Sequence, residues 1–472
     1  MDNKVINISK KTFINVLIIL FSLIIVSIGI TYIVPKGTFE VINIDGEITF
    51  NYSKYIPLEN ESGINIFKGL FAPILILGSS DGLSIIMLCI FLSVISGAFQ
   101  IINDTNGIKA IVKSLIEKFK ENKKLLISLI ILIFMCFGSF LGLFEEVLTL
   151  LPLIIALTIS LNYDSFTAFI ICIVATGFGF ASALTNPFTV ITASNIIGIS
   201  PLSKVWLRIV VFLLMYGLLL VYTFYHIKKI EKDPSKSPTY EFDNQKRNSL
   251  NIQEEIINEK KILKVYIAFF ITFMTMIILS TSLEFLRGYT VVVLIVVFLF
   301  GGFICGYCCT KDLKAVAKSF YEGVKAALPA IVLVLLASSI KFILEEGKIL
   351  ATIAYSISSI VEGRNIYLVG ILIYIIILIL EFFISSSTAK AIFVMEILSC
   401  VNIGLSKELL VLLYLFGDGY TNVLFPTSPV LLIGLSMIGM SYGKWLKNSK
   451  WLFLFNTLLV FAIIIFAILI RY

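Results

Sequence analysis

Apolar residues follow one another along most of this chain in runs of about 20 or more, separated by short polar segments. A helix needs about 20 apolar residues to cross the hydrocarbon core of a bilayer. We therefore predict an all-α integral membrane protein with about nine full spans. The predicted spans are 13–34, 82–102, 164–198, 204–227, 264–283, 288–308, 319–343, 405–440 and 451–470.

Two further apolar stretches do not fit simple spans. Residues 125–161 and 366–401 are each apolar for about 36 residues, and a polar or glycine-rich interruption lies in the middle of each. Each is either two crossings or one re-entrant hairpin that dips into the membrane and returns. Loop charges do not decide, because both options end on the side where they began. We favour two hairpins.

Charged residues in the loops predict the orientation. The segment 109–124 is rich in Lys and is predicted to be cytoplasmic, whereas the acidic loop 35–66 is predicted to lie outside. The alternation places the N-terminus in the cytoplasm and the C-terminus outside. The one long hydrophilic segment, 228–263, is predicted to be a cytoplasmic linker between a first half, 1–227, and a second half, 264–472.

Composition supports a bilayer rather than water as the solvent. Hydrophobic residues make up 58% of the chain and charged residues 14%, against about 25% charged residues in soluble domains. A soluble fold, a disordered chain, a disulfide scaffold and a nucleic-acid binder are excluded. Walker A and H-E-x-x-H motifs are absent, and the chain has a single His. We therefore predict neither an enzyme, nor a cofactor, nor a resident metal site.

The chain matches itself at a shift of 240 residues. Gly177 meets Gly417, and Gly179 meets Gly419. The order of elements also repeats: a span, an amphipathic arm, a hairpin, a broken span and a closing span. The loop charges put the two halves in opposite orientations. Inverted repeats with discontinuous helices are typical of secondary transporters, whose site lies where the repeats meet.

A proline-containing segment breaks one span in each half. Thr185 to Thr189 interrupts 164–198, and Phe425 to Pro429 interrupts 405–440. Proline removes a backbone donor, which frees carbonyls for a cation such as Na⁺ and leaves a half-helix N-terminus for a carboxylate. Asn186 before Pro187 predicts an N-cap followed by proline at the first helical position. An ordinary proline kink is the alternative.

The hairpin tips carry the remaining polar side chains. Adjacent carboxylates in an apolar run are costly unless they are paired, protonated or in contact with water. If 125–161 were two full spans, its acidic pair would lie at the outer surface instead. Lys390 and Glu396 are candidate partners for the acids, and four other charges near the ends of runs are predicted to snorkel: Arg208, Lys325, Lys341 and Glu381. The candidate substrate- or ion-binding residues are Glu145, Glu146, Asn186, Pro187, Thr189, Ser385, Ser386, Ser387, Thr388, Asp418, Asn422, Thr427 and Ser428.

These residues resemble the ion transporter superfamily, in the branch that holds the C4-dicarboxylate anaerobic carriers and the YfcC-like basic amino-acid antiporters. The matching motifs are Pro35-Lys36-Gly37, Gly142-Leu143-Phe144-Glu145-Glu146, Asn186-Pro187-Phe188-Thr189, Gly417-Asp418-Gly419-Tyr420-Thr421-Asn422, Pro426-Thr427-Ser428 and Lys444-Trp445-Leu446. The resemblance implies a homodimeric carrier of the bacterial cytoplasmic membrane. Each protomer would have a scaffold and a transport domain and would move small carboxylate-bearing metabolites. The second tip departs from the branch, since it reads Ser385-Ser386-Ser387-Thr388.

The charge of the candidate site bears on the substrate. Its three acids, Glu145, Glu146 and Asp418, suit a molecule with one carboxylate and a cationic side chain, such as arginine, ornithine or lysine. They would equally suit coupling protons or Na⁺. We favour basic amino acids, with C4-dicarboxylates as the alternative. A passive channel would need polar residues along several spans, and most spans here have none. A membrane enzyme would need a catalytic constellation, and none is visible in the sequence. Both classes are therefore disfavoured.

Overall fold

The computed structural model describes most of the chain. The described residues are 10–44, 47–59, 61–79, 82–119, 122–249, 258–283, 289–361, 364–383, 387, 390–391, 394–395, 398 and 404–472.

The described residues are mainly α-helical. The helices are α1 (Lys10–Ile33), α2 (Ile66–Leu70), α3 (Ala72–Leu75), α4 (Gly82–Asp104), α5 (Gly107–Lys118), α6 (Lys123–Cys136), α7 (Leu151–Ser160), α8 (Ser165–Phe169), α9 (Ala175–Ala181), α10 (Thr192–Ile196), α11 (Val205–Lys232), α12 (Tyr240–Ser249), α13 (Glu259–Ser282), α14 (Thr290–Thr310), α15 (Leu313–Glu346), α16 (Leu350–Val361), α17 (Ile366–Phe383), α18 (Lys407–Asp418), α19 (Pro429–Met437) and α20 (Tyr442–Leu469). The strands are β1 (Gly37–Ile44) and β2 (Glu47–Pro57).

Short irregular turns join or extend several of these helices. π-helical turns follow α6 at Phe137–Leu141, join α8 to α9 at Ile170–Val174, and precede α10 at Pro187–Ile191. Three-residue-per-turn helices lie at Glu146–Thr149 and Tyr420–Val423. Widened and tightened turns of this kind occur often at functional sites in helices.

Six helices in the described part are long and apolar enough to cross a bilayer. They are Ile85–Asp104, Lys123–Leu141, Val205–Lys232, Val291–Thr310, Leu313–Glu346 and Tyr442–Leu469. Shorter apolar helices cover Leu17–Ile33, Leu151–Ser160, Ser165–Ala181 and Ile366–Phe382. This is a multi-pass membrane protein. The count of nine spans and two hairpins stays a prediction, since the first leg of the first hairpin is itself long enough to span.

The loop 35–66, which the sequence predicts to be external, contains β structure, so the all-α assignment needs a correction. Strands β1 and β2 pair antiparallel, with an irregularity in register between Phe39 and Glu40. The reason is readable in the sequence, where alternating apolar residues flank Asp45-Gly46, a dipeptide that favours tight hairpin turns. This β-hairpin packs on the arm α16, where Tyr55 stacks on Tyr355 with ring centroids 4.4 Å apart.

The element bounds agree with the shift of 240 residues. The arms α5 and α16, the helices before them, the two broken segments and the closing helices α11 and α20 all correspond in order. The opposite orientation of the halves in the bilayer stays a prediction.

Helices α1, α4, α13, α14 and α15 pack on one another and form one group. We call this group the scaffold helices. The other group contains the two broken segments with their hairpin legs and the closing helices α11 and α20, and we call it the broken-helix group. The two runs that proline-containing segments break into separate helices both belong to the second group, whereas α15 continues through Pro329 and belongs to the first.

The two breaks cross in the core of the broken-helix group, at a point where a side chain has no room. A Cβ atom on Gly419 would lie 2.0 Å from the backbone nitrogen of Ala181. Likewise, a Cβ on Gly138 would lie 2.2 Å from the carbonyl oxygen of Thr176. Glycine therefore lets the hairpin tip and both breaks approach backbone to backbone.

The predicted linker is partly helical and docked. The Asp164 carboxylate, which caps α8, lies 2.8 Å from His226 Nε2 and accepts a hydrogen bond from Ser237 at 2.7 Å. Asp243 of α12 accepts bonds from Ser165 and Thr239. The linker therefore holds the start of α8 and the end of α11 together.

Candidate functional site

The tip of the first hairpin is bonded to the break in the first broken span. The carbonyl of Ser139 accepts the backbone N–H groups of Leu184 and Thr185, at 3.0 and 3.2 Å. Gly142 closes the leg with a left-handed backbone, φ +69°. The ends of the same hairpin also meet, since Lys123 Nζ donates to the carbonyl of Leu161 at 3.4 Å. This contact agrees with a hairpin but also with two full spans, since both options end on the side where they began.

Asn186 fixes this junction. Its Oδ1 accepts from the N–H of Phe188 at 2.9 Å, and its Nδ2 donates to the carbonyl of Gly138 at 2.9 Å. Pro187 occupies the first helical position, as the sequence predicts. Asn186 is fully buried, and both ends of its amide are occupied by protein groups. Its observed contacts are thus with the backbone of the hairpin.

The two adjacent glutamates follow the tip and face a cavity of about 350 Å³. Glu145 is exposed to this space, whereas Glu146 is buried and accepts the N–H of Phe144 at 3.1 Å. The cavity lies between the scaffold helices and the broken-helix group, with α4, α14 and α15 forming one wall. Its polar lining side chains are Glu145, Glu146, Ser338, Lys341, Ser387, Asn422 and Ser428.

Five candidates from the sequence therefore line one cavity, and others do not. Glu145, Glu146, Ser387, Asn422 and Ser428 are brought together. The candidates placed in the surrounding wall rather than at the cavity are Asn186, Pro187, Thr189, Asp418 and Thr427. Three more lie outside the described residues: Ser385, Ser386 and Thr388.

The second break presents a half-helix N-terminus to the cavity. Ser428 caps α19 and accepts from the N–H of Leu431 at 3.4 Å, with Pro429 at the first position. Ser428, Pro429 and Val430 all line the cavity. Asn422 donates to the carbonyl of Asp418 at 2.7 Å, which leaves its Oδ1 as an acceptor. The N-terminal amides of α19 supply partial positive charge at this wall.

Asp418 lies one side chain behind the cavity. Its Oδ1 is 2.7 Å from Lys390 Nζ, and its Oδ2 accepts from Ser387 Oγ at 3.0 Å. Lys390 also forms an ion pair with Glu381. Lys390 is thus a partner for an acid, as the sequence suggests, and the observed partner is Asp418 rather than the glutamate pair.

Three of the charges expected to snorkel do not. Glu381 is buried against Lys390, and Arg208 is buried with its NH1 donating to the carbonyl of Leu184 at 3.2 Å. Lys341 lines the cavity, 3.2 Å from Glu345. Glu381 and Arg208 have buried polar partners, which is the alternative to snorkelling for a charge in an apolar helix, whereas Glu345, the partner of Lys341, is partly exposed. Lys325 is exposed over the ring of Tyr321, as expected of a snorkelling residue.

Sequence reasoning missed Ser338 and Lys341 as site residues. Both belong to α15, and they are three residues apart, so they share a helix face. That spacing of polar residues within an apolar run is the signal that could have identified them.

Comparison with known proteins decides the family. A sequence profile of the DcuC family, described as C4-dicarboxylate anaerobic carriers, matches residues 13–470. The chain belongs to this family. It is a membrane transporter of the DcuC and YfcC type, consistent with a bacterial inner membrane.

Individual relatives are more distant. The chain is 27% identical over 398 residues to a putative basic amino acid antiporter, YfcC of Escherichia coli. The matched region covers 81% of this chain and 76% of that protein. It is 23% identical over 495 residues to an uncharacterised protein of Haemophilus influenzae, covering 93% and 94% of the two chains.

Two solved transporters are similar in outline. The Alcanivorax borkumensis YdaH transporter has a TM-score of 0.47 at 14% identity, covering 95% of this chain and 98% of that one. The Neisseria gonorrhoeae MtrF efflux pump has a TM-score of 0.44 at 13% identity, covering 95% and 94%.

Proposed function

We propose that this protein is a secondary transporter whose substrates are basic amino acids, such as arginine and ornithine, moved by exchange or by ion-coupled uptake. The observation that carries the proposal is the pair Glu145 and Glu146 at the cavity. Among the described residues, Lys341 is the one cation that lines the cavity, and Glu345 lies beside it. The excess negative charge favours a substrate with a cationic end, because an unpaired charge away from bulk water is costly.

The other end of such a substrate has a matching partner. The N-terminus of α19 lines the cavity with Ser428 and Val430. Amides in the first turn of a helix lack intrahelical partners and carry partial positive charge, which suits an α-carboxylate. In this arrangement the carboxylate lies at α19 and the guanidinium or ammonium group lies at the glutamate pair.

The membrane arrangement is part of the same proposal. We place both hairpin tips near mid-membrane, with the halves inverted, the N-terminus and linker in the cytoplasm and the C-terminus outside. The bonds that join Ser139 to Leu184 and Thr185 support a tip that stops at the helix break. The protein would act as a homodimer, and H⁺ or Na⁺ would couple transport, with the loops of Asn186 and Thr427 as candidate Na⁺ sites.

Reporter fusions test this topology. A reporter after Tyr472 should be active outside, and one in the linker should be active inside. An internal C-terminus would contradict the inverted repeat, because the two halves would then have the same orientation.

Transport by the purified protein in liposomes tests the substrate. Labelled arginine and labelled succinate are compared, with and without unlabelled substrate in the lumen. We expect arginine to enter, and internal arginine or ornithine to accelerate its entry. Uptake of succinate without arginine would contradict the proposal.

C4-dicarboxylates are the second candidate. The description of the family supports them, as does the presence of Lys341 in the cavity, since a dicarboxylate needs cations. In that case Lys341→Met would abolish succinate transport, whereas Glu146→Gln would not weaken it. The same two variants have the opposite order of severity if the substrate is arginine.

A further inference from the structure

Three ionisable side chains meet inside the broken-helix group, away from water. Lys390 lies 2.7 Å from Asp418 and also pairs with Glu381. The exposed fraction of the side chain is 3% for Glu381 and 0% for each of the other two. We call Glu381, Lys390 and Asp418 the buried triad.

The buried triad has more acid than base. With every group ionised, two carboxylates face one ammonium and the net charge is negative. In the part of the chain that the structure describes, no second Lys or Arg pairs with Glu381 or Asp418. A buried charge without compensation is strongly unfavourable, and the inexpensive remedy is to bind a proton.

The two carboxylates are not equally supported as anions. Asp418 accepts from Ser387 Oγ at 3.0 Å and lies 3.4 Å from the hydroxyl of Tyr414. The Oε2 of Glu381 contacts only the Lys390 ammonium, and no hydroxyl or backbone N–H of a described residue donates to it. Hydrogen bonds to the ionised form stabilise it, so Asp418 is the better anion and Glu381 is the better place for a proton.

We propose that Glu381 holds an exchangeable proton, and that the buried triad is the site at which the coupling proton binds during transport. The inference rests on the proposed function, since it names the ion that drives the movement of a cationic substrate. Release converts the Glu381 carboxyl group into a carboxylate and a free proton.

The position of Ser387 explains how proton and substrate would be coupled. Ser387 lines the cavity and donates to Asp418, so a cation in the cavity is one side chain away from the buried triad. A bound cationic substrate stabilises the deprotonated triad, and a bound proton weakens the attraction for the substrate. Because such coupling is reciprocal, the expected outcome is antiport of substrate against proton.

Other titratable groups face the same region. Tyr414 contacts Asp418 from α18, and the hydroxyls of Tyr374 and Tyr420 pair at 2.6 Å between α17 and the second break. Across the cavity lie Lys341 and the glutamate pair 145–146. These glutamates are the rival location for the coupling proton, so the test must separate them from Glu381.

Proteoliposomes with a pH-sensitive dye in the lumen provide the test. For the wild type we expect an acidic lumen to accelerate arginine uptake, with about one proton leaving for each arginine that enters. Glu381→Gln fixes the site in its neutral form. This variant should keep the exchange of arginine for arginine, and should lose both the response to the gradient and the proton flux.

Two further variants complete the experiment. Glu381→Asp keeps a titratable group and should restore part of the proton flux. Glu346→Gln removes an exposed carboxylate that pairs with Lys68 on the scaffold side, and it should behave as the wild type. A Glu381→Gln protein that moves as many protons per arginine as the wild type would overturn the proposal, as would a wild type that exchanges arginine without any proton flux.

A measurement without substrate keeps the inference separate from the proposed function. In infrared difference spectra between high and low pH, the wild type should show the C=O band of a protonated carboxyl group, and Glu381→Gln should lose it. If Glu381→Gln does not assemble, Glu381→Asp should shift the band. If the wild type carries only succinate, the proposed function is refuted. The proton site is refuted separately, by a C=O band that is unchanged in both Glu381→Gln and Glu381→Asp.

Discussion

Replacing Glu146 by Gln removes a charge from the cavity and leaves its shape nearly unchanged. The carboxylate accepts the N–H of Phe144 at 3.1 Å, and the amide oxygen of Gln can accept the same bond. The variant should therefore fold normally. If arginine is the substrate, the variant loses the attraction between a carboxylate and a guanidinium.

The size of this loss follows from the kind of bond that is replaced. A hydrogen bond to a charged group contributes about 1.5–3 kcal/mol and a neutral one about 0.5–1.5 kcal/mol. Their difference, about 1–2 kcal/mol, corresponds to a loss of about 5- to 30-fold in affinity. Glu145 remains in the cavity, which is why we do not expect a larger effect.

Competition between arginine and citrulline isolates this charge. Citrulline has nearly the same shape, but its side chain ends in a neutral urea group. In liposomes, the wild type should prefer arginine, and Glu146→Gln should reduce that preference by about the 5- to 30-fold stated above. The matched control is Glu346→Gln, an exposed carboxylate that pairs with Lys68 and is not part of the cavity lining. An unchanged preference in the Glu146 variant would remove Glu146 from the site and refute the reasoning.

Three further predictions concern the framework of the site. Gly419→Ala should destabilise the protein by about 3 kcal/mol or more, because the added Cβ would overlap the backbone of Ala181. In the control variant Gly443→Ala the added Cβ meets no atom within 4 Å, and the melting temperature should not fall. Asn186→Ala should cost about 2–4 kcal/mol through the lost cap and the unsatisfied Gly138 carbonyl, against about 1 kcal/mol for the exposed cap Asn65→Ala; equal costs would contradict the role of the junction. Burial raises the pKa of Asp243 to about 6, despite hydrogen bonds from Ser165 and Thr239, so the folded protein binds this proton more tightly than the unfolded chain and is stabilised as the pH falls from about 6 to 4. The melting temperature of the wild type relative to Asp243→Asn should therefore rise over that range, and a flat difference would refute it.

Local rules in the sequence were enough to find the breaks and the first tip. Pro187 and Pro429 each stand at the first position of a new helix, where the missing N–H costs nothing, and Asn186 caps because its side chain reaches the N–H of Phe188. The dipeptide Asp45-Gly46 also predicts a tight β-hairpin turn, which the pattern of long apolar runs does not reveal.

The sequence does not predict which charged side chains line the cavity and which lie in the wall behind it. Asp418 and Glu146 look alike as carboxylates in apolar runs, and only packing determines that Asp418 meets Lys390 while Glu146 meets the cavity. The position of Lys341 near the end of an apolar run predicts a side chain that reaches water. Such contacts join residues that are far apart in the chain, so neither periodicity nor spacing contains them.

A structure of the protein with arginine bound would test the central claim most directly. We predict the guanidinium group beside Glu145 and Glu146, and the α-carboxylate at the N-terminus of α19 next to Ser428 and Val430. Arginine absent from this cavity at saturating concentration, or a succinate bound there by Lys341 in its place, would contradict a transporter of basic amino acids.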